Sequence, residues 1–173
     1  EADIAALVLG IADVTGPDDM VQGVPNDGDW PGGEYPGLAI DNDITTKFLH
    51  RQGGATATGI QVAPAVGATV VTGLSLGTAN DDYGRDPITF ELSGSNDSID
   101  GPYELIAAGD VNDFAQEVTW PRYSKNATAI TFENDMAYMY YQIVFPNLRE
   151  VATPLMQIAE IELLGAVAPL FIE

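Results

Sequence analysis

The chain has 173 residues, 46% of them hydrophobic, and its 26 Asp and Glu against 6 Lys and Arg give a net charge of −20. That length suits one domain with a sizeable core, and residues 1–173 are read as a single unit. The charge repels polyanions, so nucleic acid and an anionic membrane surface are excluded as partners.

The chain has no cysteine, which leaves neither a disulfide framework nor a thiolate metal site. No run of 18 apolar residues occurs, so no membrane insertion is expected. The start, EADIAALVLG, has no initiator Met and no basic n-region. It is read as a mature or excised piece, one module of a longer secreted or cell-surface protein.

In chain order, an apolar, β-branched stretch predicts a short strand around Leu7–Val14. Residues 15–37 then hold four Pro, six Gly and five carboxylates (Asp18, Asp19, Asp27, Asp29, Glu34), which predicts a long irregular loop. Loops of that length in compact domains are usually functional or disordered. Trp30 and Tyr35 within it are each either a plug over the core or a stacking platform for a sugar.

The stretch 38–50, LAIDNDITTKFLH, gathers Asp41, Asn42, Asp43, Thr45 and Thr46 between apolar flanks. Local sequence permits two readings. One is an Asx-rich turn whose side chains bond their own backbone. The other is a hard-oxygen cluster of the kind calcium takes, with magnesium less suited to an all-protein cage. One helical turn over Ala39–Lys47 is the single helical candidate.

From residue 53 onward the pattern is strands. ATGIQVAP and ATVVTGLSLGTA come first; in the second, Val70, Thr72, Leu74 and Leu76 alternate with Val71, Gly73 and Ser75. PITFELSGSND places Ile88, Phe90 and Leu92 on one face. YELIAAGDV, Gln116–Trp120 and Ala129–Phe132 are shorter candidates, and AYMYYQIVFPNL is strongly β. MQIAEIELLGAV closes the series, with Ile158, Ile161 and Leu163 set against Glu160 and Glu162. About eight short strands with Gly, Asn, Asp and Pro turns predict an all-β sandwich or barrel.

AIDNDITTKF, VTGLSLGTANDDYGRDPITFELSGSND, YMYYQIVFPN and QIAEIELLG stand in an order that resembles the galactose-binding-like superfamily. That group includes the discoidin (coagulation factor C-type) domains and many bacterial extracellular carbohydrate-binding modules. Its pattern has an A-x-D-G-D-x-x-T-x-W box, a central G-S-N-D-G turn and a last strand like A-E-I-E. The likeness spans roughly residues 38–165. It implies an eight-stranded jelly-roll β-sandwich and a structural calcium. Asp41 and Asp43 match the box aspartates, and Thr46 matches its Thr. Asn42 stands where Gly is usual and would offer its carbonyl; Asn tolerates a left-handed backbone next best after Gly. Phe48 replaces the usual Trp as a core anchor. Glu160 matches the closing Glu, with Glu162 as the alternative, and both carboxylates lining a solvated strand face is the bland reading.

Ligands in that superfamily meet the loops at one end of the sandwich. Sugar recognition needs an aromatic face and planar polar groups, and three segments carry them. They are His50 and Arg51 after the aspartate box; Asn80, Asp82, Tyr83 and Arg85; and Trp120 with Arg122 and Tyr123. Trp30 is a further candidate. Arg85 and Asp86 pairing with each other, and Asp81, Asp82 and Asp86 holding a second cation, are the competing uses of the middle segment.

No Cys nucleophile, G-x-S-x-G, P-loop or H-E-x-x-H occurs, so an enzyme is not expected. A glycosidase-style carboxylate pair is the catalytic possibility that counting leaves open. The expected function is a non-catalytic, calcium-stabilised carbohydrate-binding module. The alternative is a structural or adhesive module of a surface layer or adhesin, without a small-ligand site. The two readings part on whether Trp30, Tyr35, Tyr83, Trp120 and Tyr123 gather around one concavity.

Overall fold

The computed structural model describes residues 10–115 and 119–169. Within them the polypeptide forms eleven short strands: β1 (Ala12–Asp13), β2 (Met20–Val24), β3 (Phe48–His50), β4 (Thr58–Ala63), β5 (Thr69–Gly77), β6 (Thr89–Ser95), β7 (Glu104–Asp110), β8 (Ile130–Thr131), β9 (Tyr140–Phe145), β10 (Met156–Ile158) and β11 (Glu160–Val167). All strand pairs are antiparallel. One sheet has the order β1-β11-β5-β8, a second β2-β4-β9-β6-β7, and a two-stranded ribbon joins β10 to β3.

The two larger sheets face each other across one core. Val71, Leu74, Leu76, Ile161 and Leu163 from the first meet Ile60, Val62, Phe90, Leu92, Tyr141, Ile143 and Phe145 from the second. Period-two alternation produces this directly: Ile60, Ile143 and Leu92 are cross-strand partners in one buried row. The next row along, facing the other way, is polar. There Gln22 donates to Gln61 at 2.7 Å and Gln61 to Gln142 at 2.8 Å. This is the β-sandwich the sequence predicts, divided into more and shorter strands than eight.

Several local expectations are corrected. The 15–37 segment is not wholly irregular, since β2 lies in it as an edge strand paired with β4. Its Gly23 reads as a loop residue in sequence but is required by packing. A Cβ there would sit 2.7 Å from the Trp30 ring. The helical turn is 3₁₀ and falls at Pro36–Ala39, earlier than expected; residues 41–46 are a turn. Around the first predicted strand, only Ala12–Asp13 is β among the described residues, and Leu7–Leu9 lie outside them. Of Gln116–Trp120, residues 116–118 lie outside the described residues, and Thr119 and Trp120 are not in a strand.

The face of β5 also differs. Leu164 pairs with Gly73 and Gly165 with Val71, so Thr72 is an extra residue. This bulge reverses the alternation, turning Val71 as well as Leu74 and Leu76 inward. A second break comes at Ala159, whose N–H bonds Gly77 O at 2.9 Å. It ends the β10 ribbon, starts β11 and delivers Glu160 at the first position of the new strand.

Candidate functional site

The aspartate-box turn and the start of β11 meet at one end of the sandwich. Glu160 pairs with Gly77 at the end of β5 and is 1% exposed. Its Oε1 accepts the Asp43 N–H at 2.8 Å. Its Oε2 is buried and has no hydrogen-bond partner. Burial raises the Glu160 carboxyl to about 8, and the Asp41 carboxylate lying against it pushes the same way. Asp41 is itself tied into the turn: its Oδ1 accepts the Asp43 N–H at 3.0 Å and its Oδ2 the Thr46 hydroxyl at 2.7 Å.

Two carboxylates in contact, one with a buried bare oxygen, need a positive charge between them: a proton or a cation. The donor set fits a hard cation. Asp41 and Glu160 bring carboxylates and Thr46 a hydroxyl, while the Asp43 carbonyl already accepts the Thr46 N–H at 3.1 Å and its hydroxyl at 3.0 Å. The Asp43 side chain is turned away, since its Oδ1 accepts the Thr45 N–H at 2.9 Å and the Thr45 hydroxyl at 2.6 Å. These bonds hold the Asp43 carboxyl below its ordinary range. The site therefore has two acidic side chains, and no group of three His, Cys, Asp or Glu is arranged for a metal among the described residues. Glu162, the alternative closing residue, instead forms a short ion pair with Lys125.

Asn42 has φ 62°, the left-handed backbone that makes Gly or Asn the natural choice at this place in the box. Asn42→Gly should leave the melting temperature nearly unchanged. Asn42→Val should cost about 1–2 kcal/mol, because a β-branched residue resists that backbone. Thermal melts of the two variants check this.

The 78–88 loop follows β5 at the same end. Its carboxylates are each taken by a cation, so they do not form a second cation site. Asp86 is 1% exposed and pairs two-pronged with Arg122; Arg122 Nη1 reaches Asp86 Oδ1 at 2.9 Å. Burial still leaves the Asp86 carboxyl raised, with Arg122 opposing. Arg85 Nε lies 3.0 Å from Asp82 Oδ2 and its Nη1 3.8 Å from Asp81. The pairing of Arg85 with Asp86 that the sequence allowed is therefore replaced. Asp82 adopts φ 29° and ψ 87°, a backbone costing about 1–3 kcal/mol for a non-glycine residue. Its Oδ1 accepts the Gly84 N–H at 3.1 Å.

Arg122 comes from the third predicted segment. Its guanidinium lies 4.3 Å from the Tyr83 ring centroid, and Tyr83 remains 43% exposed. Backbone bonds from Thr78 to Ser124 and from Tyr123 to Ala79 zip the two loops together. Arg149 and Glu150 bond Asp86 and Gly84 through backbone, which adds a third segment. The fold thus unites the Asn80–Asp86 and Trp120–Tyr123 segments around Tyr83.

It does not bring in the rest. His50 is fully buried, its Nε2 on Pro25 O at 3.1 Å and its Nδ1 accepting the Gln52 N–H at 3.2 Å. Trp30 stands edge-on to Phe48 and His50, with centroids 5.9 and 5.8 Å away, as a plug. Trp120 packs partly against the core and gives its Nε1–H to Lys125 O at 3.0 Å. Arg51 pairs with Asp29 at 3.4 Å in the 15–37 segment. A groove of about 460 Å³ opens by the far end of β6, lined by Ser95, Asn96, Glu104, Met136 and Tyr138, away from Tyr83.

Lys47 and Gln157 are residues that sequence reasoning missed. Lys47, right after the aspartate-box threonines, sends its Nζ to Asp81 Oδ1 at 3.1 Å and Gln157 Oε1 at 3.0 Å. Gln157, fully buried in β10, donates to Asp81 O at 2.6 Å and Asp82 O at 3.2 Å. Neither lies in a recognisable motif. By sequence Lys47 stands four residues after Asp43, which points to a local partner and not to Asp81.

No protein-family model matches the sequence, and no curated protein matches it significantly. Solved structures do match. The family 32 carbohydrate-binding module of Clostridium perfringens NanJ, in complex with galactose, superposes with TM-score 0.61 at 16% identity. The match covers 84% of this protein and 93% of that one. The third family 32 module of a C. perfringens family 31 glycoside hydrolase gives TM-score 0.69 at 12% identity, over 91% and 95%. An F5/8 type C domain of a Bacteroides fragilis protein gives 0.63 at 14%, over 92% and 97%.

The protein has the galactose-binding-like fold. Identities this low establish the architecture alone, and within the galactose-binding-like fold ligands differ with the loops. At this protein's own loop end stand the Asp41–Glu160 pair and Tyr83 with Arg122.

Proposed function

We propose that the protein is a non-catalytic carbohydrate-binding module, stabilised by calcium held at Asp41, Asn42, Asp43, Thr46 and Glu160. The observation that carries the metal half is the buried Glu160 carboxyl lying against the Asp41 carboxyl, with no donor of the protein on its Oε2. Bound calcium would supply the positive charge those carboxylates need and close the turn. The glycan half rests on the exposed Tyr83 ring, backed by Arg122 and flanked by Asn80, Asp82 and Arg85. Its support from outside is that structural neighbours are carbohydrate-binding modules, one of them in complex with galactose. A secreted or surface location follows from the same reading, as does membership of a longer multi-module protein.

An affinity gel with immobilised galactose, run with calcium chloride, tests the glycan half. Retention is expected. Tyr83→Ala should weaken it roughly tenfold, about 1.4 kcal/mol for one stacking face, with the melting temperature lowered by only the few degrees that losing the Arg122 contact costs. The structural or adhesive reading also has an observation in its favour. Of the five aromatics, Trp30 and Trp120 are turned inward, and the 460 Å³ groove is lined by none of the five. A blank result with galactose and across a glycan array in calcium would overturn the glycan half and leave that alternative standing.

A further inference from the structure

Lys47 and Gln157 carry side-chain hydrogen bonds from the aspartate-box end of the β3–β10 ribbon to the Tyr83 loop. We propose that this pair couples the cation site to the ligand loop, so that calcium at Asp41 and Glu160 sets the conformation in which Tyr83 is presented. The inference rests on the calcium and glycan readings above and adds a regulatory link between them.

The turn of residues 41–46 is closed by the Thr46 hydroxyl, which bonds both Asp41 Oδ2 at 2.7 Å and Asp43 O at 3.0 Å. Lys47 leaves that turn directly. Its Nζ is anchored on Asp81, and its side chain is only 10% exposed. On the other arm, Glu160 begins β11 just past Ala159, and Gln157 lies three residues earlier in β10, paired with Leu49 of β3. Gln157 holds the carbonyls of Asp81 and Asp82, the latter at φ 29°. Both arms therefore start beside a cation ligand and end on the same two loop residues.

Without a cation, the turn and the start of β11 are tied through one Asp43 N–H, shared between Asp41 Oδ1 at 3.0 Å and Glu160 Oε1 at 2.8 Å. A bound cation, taking an oxygen from each carboxylate, would draw the two arms together. Lys47 and Gln157 then fix Asp81 and Asp82, and with them the 3₁₀ turn Tyr83–Arg85. Thermodynamic linkage makes the effect reciprocal, so a ligand ordering the loop must tighten calcium binding by the same factor.

Hydrogen exchange of the intact protein, with and without calcium chloride, tests the link. The amides of Gly84, Arg85 and Asp86 report the loop, since each is hydrogen-bonded within it. The Ile143 amide in the central strand β9 reports global opening. Calcium is expected to raise protection of the loop amides at least about tenfold beyond any change at Ile143, within the usual span of such couplings. In Lys47→Met the extra loop protection should disappear, and by the same linkage calorimetry should show calcium affinity falling by about the factor of protection lost and no more; Lys47→Arg should retain both. Calcium binding to the parent with no loop-specific protection overturns the coupling alone. Calcium affinity in Lys47→Met falling far beyond the protection lost also overturns it, since Lys47 then belongs to the turn itself. No calcium binding by the parent overturns the metal reading and the coupling together.

Discussion

Calcium at about 100 times its dissociation constant should stabilise the protein by about 2.7 kcal/mol, a rise of roughly 5–10 °C in melting temperature for a domain this size. Asp41→Ala and Glu160→Gln should each abolish that rise. The two starting points should differ in a telling direction. In chelator near pH 8, Glu160→Gln should melt higher than the parent, because it removes a buried charge that faces another carboxylate. A site that is only a turn would show no such gain, since the glutamine oxygen can still accept the Asp43 N–H. The pH profile carries the same logic. The Glu160 carboxyl stands at about 8 in the folded protein against an ordinary 4.5. Between those values the folded state holds a proton that the unfolded chain has released, so ion-free stability falls as pH rises through that interval. Calcium should flatten the slope, and Glu160→Gln should remove it. Melts in chelator and in calcium from about pH 5 to about pH 9 read all of these, and an unchanged melting temperature in calcium would sink the metal site.

Arg122→Ala should destabilise the protein by about 3 kcal/mol, roughly 6–12 °C, as breaking a buried ion pair from one side does. It leaves the Asp86 carboxylate, 1% exposed, without its two-pronged partner. It also uncovers Tyr83 and frees the Arg122 bond to Asp81 O, 2.9 Å in the parent. Asp86 is already raised by burial, and losing Arg122 raises it further. The variant's deficit should therefore shrink on acidification, as Asp86 takes up a proton in the fold before it would in the unfolded chain. The double variant Arg122→Ala, Asp86→Ala should lose much less than the sum of the two singles. Additive losses in that cycle would show that the pair is not what holds the loops together.

The β-sandwich was legible because period-two alternation is a local signal. Phe90 and Leu92, and Tyr141, Ile143 and Phe145, declare their face without reference to any partner strand, whereas Ile88 stands just before β6 and is only half-buried. The aspartate box was legible for a similar reason. Its oxygens lie within six residues, and the need for a left-handed residue at Asn42 is a property of the turn itself. Where the alternation was misread, the cause was non-local. Thr72 bulges because of its register with Leu164 and Gly165. Gly23 sits in a strand because the Trp30 ring needs its space.

The sequence by itself determined an acidic, cysteine-free, all-β protein with an oxygen-rich turn after residue 40. Those follow from composition and short-range pattern, whereas Glu160 as the closing residue came only from the resemblance, with Glu162 as its alternative. Only the tertiary structure decided which charges meet. Asp86 could pair with adjacent Arg85 by sequence, yet it takes Arg122 from a loop 36 residues away. The lone His50 follows the aspartate box in sequence, yet it is buried among Trp30, Phe48 and Pro25 O. Lys47 reaches Asp81 and Gln157 across distances no motif records. The physical reason is one of range: alternation and turn chemistry act over a few residues, whereas ion pairing and burial act through space between whatever segments the sheets bring together.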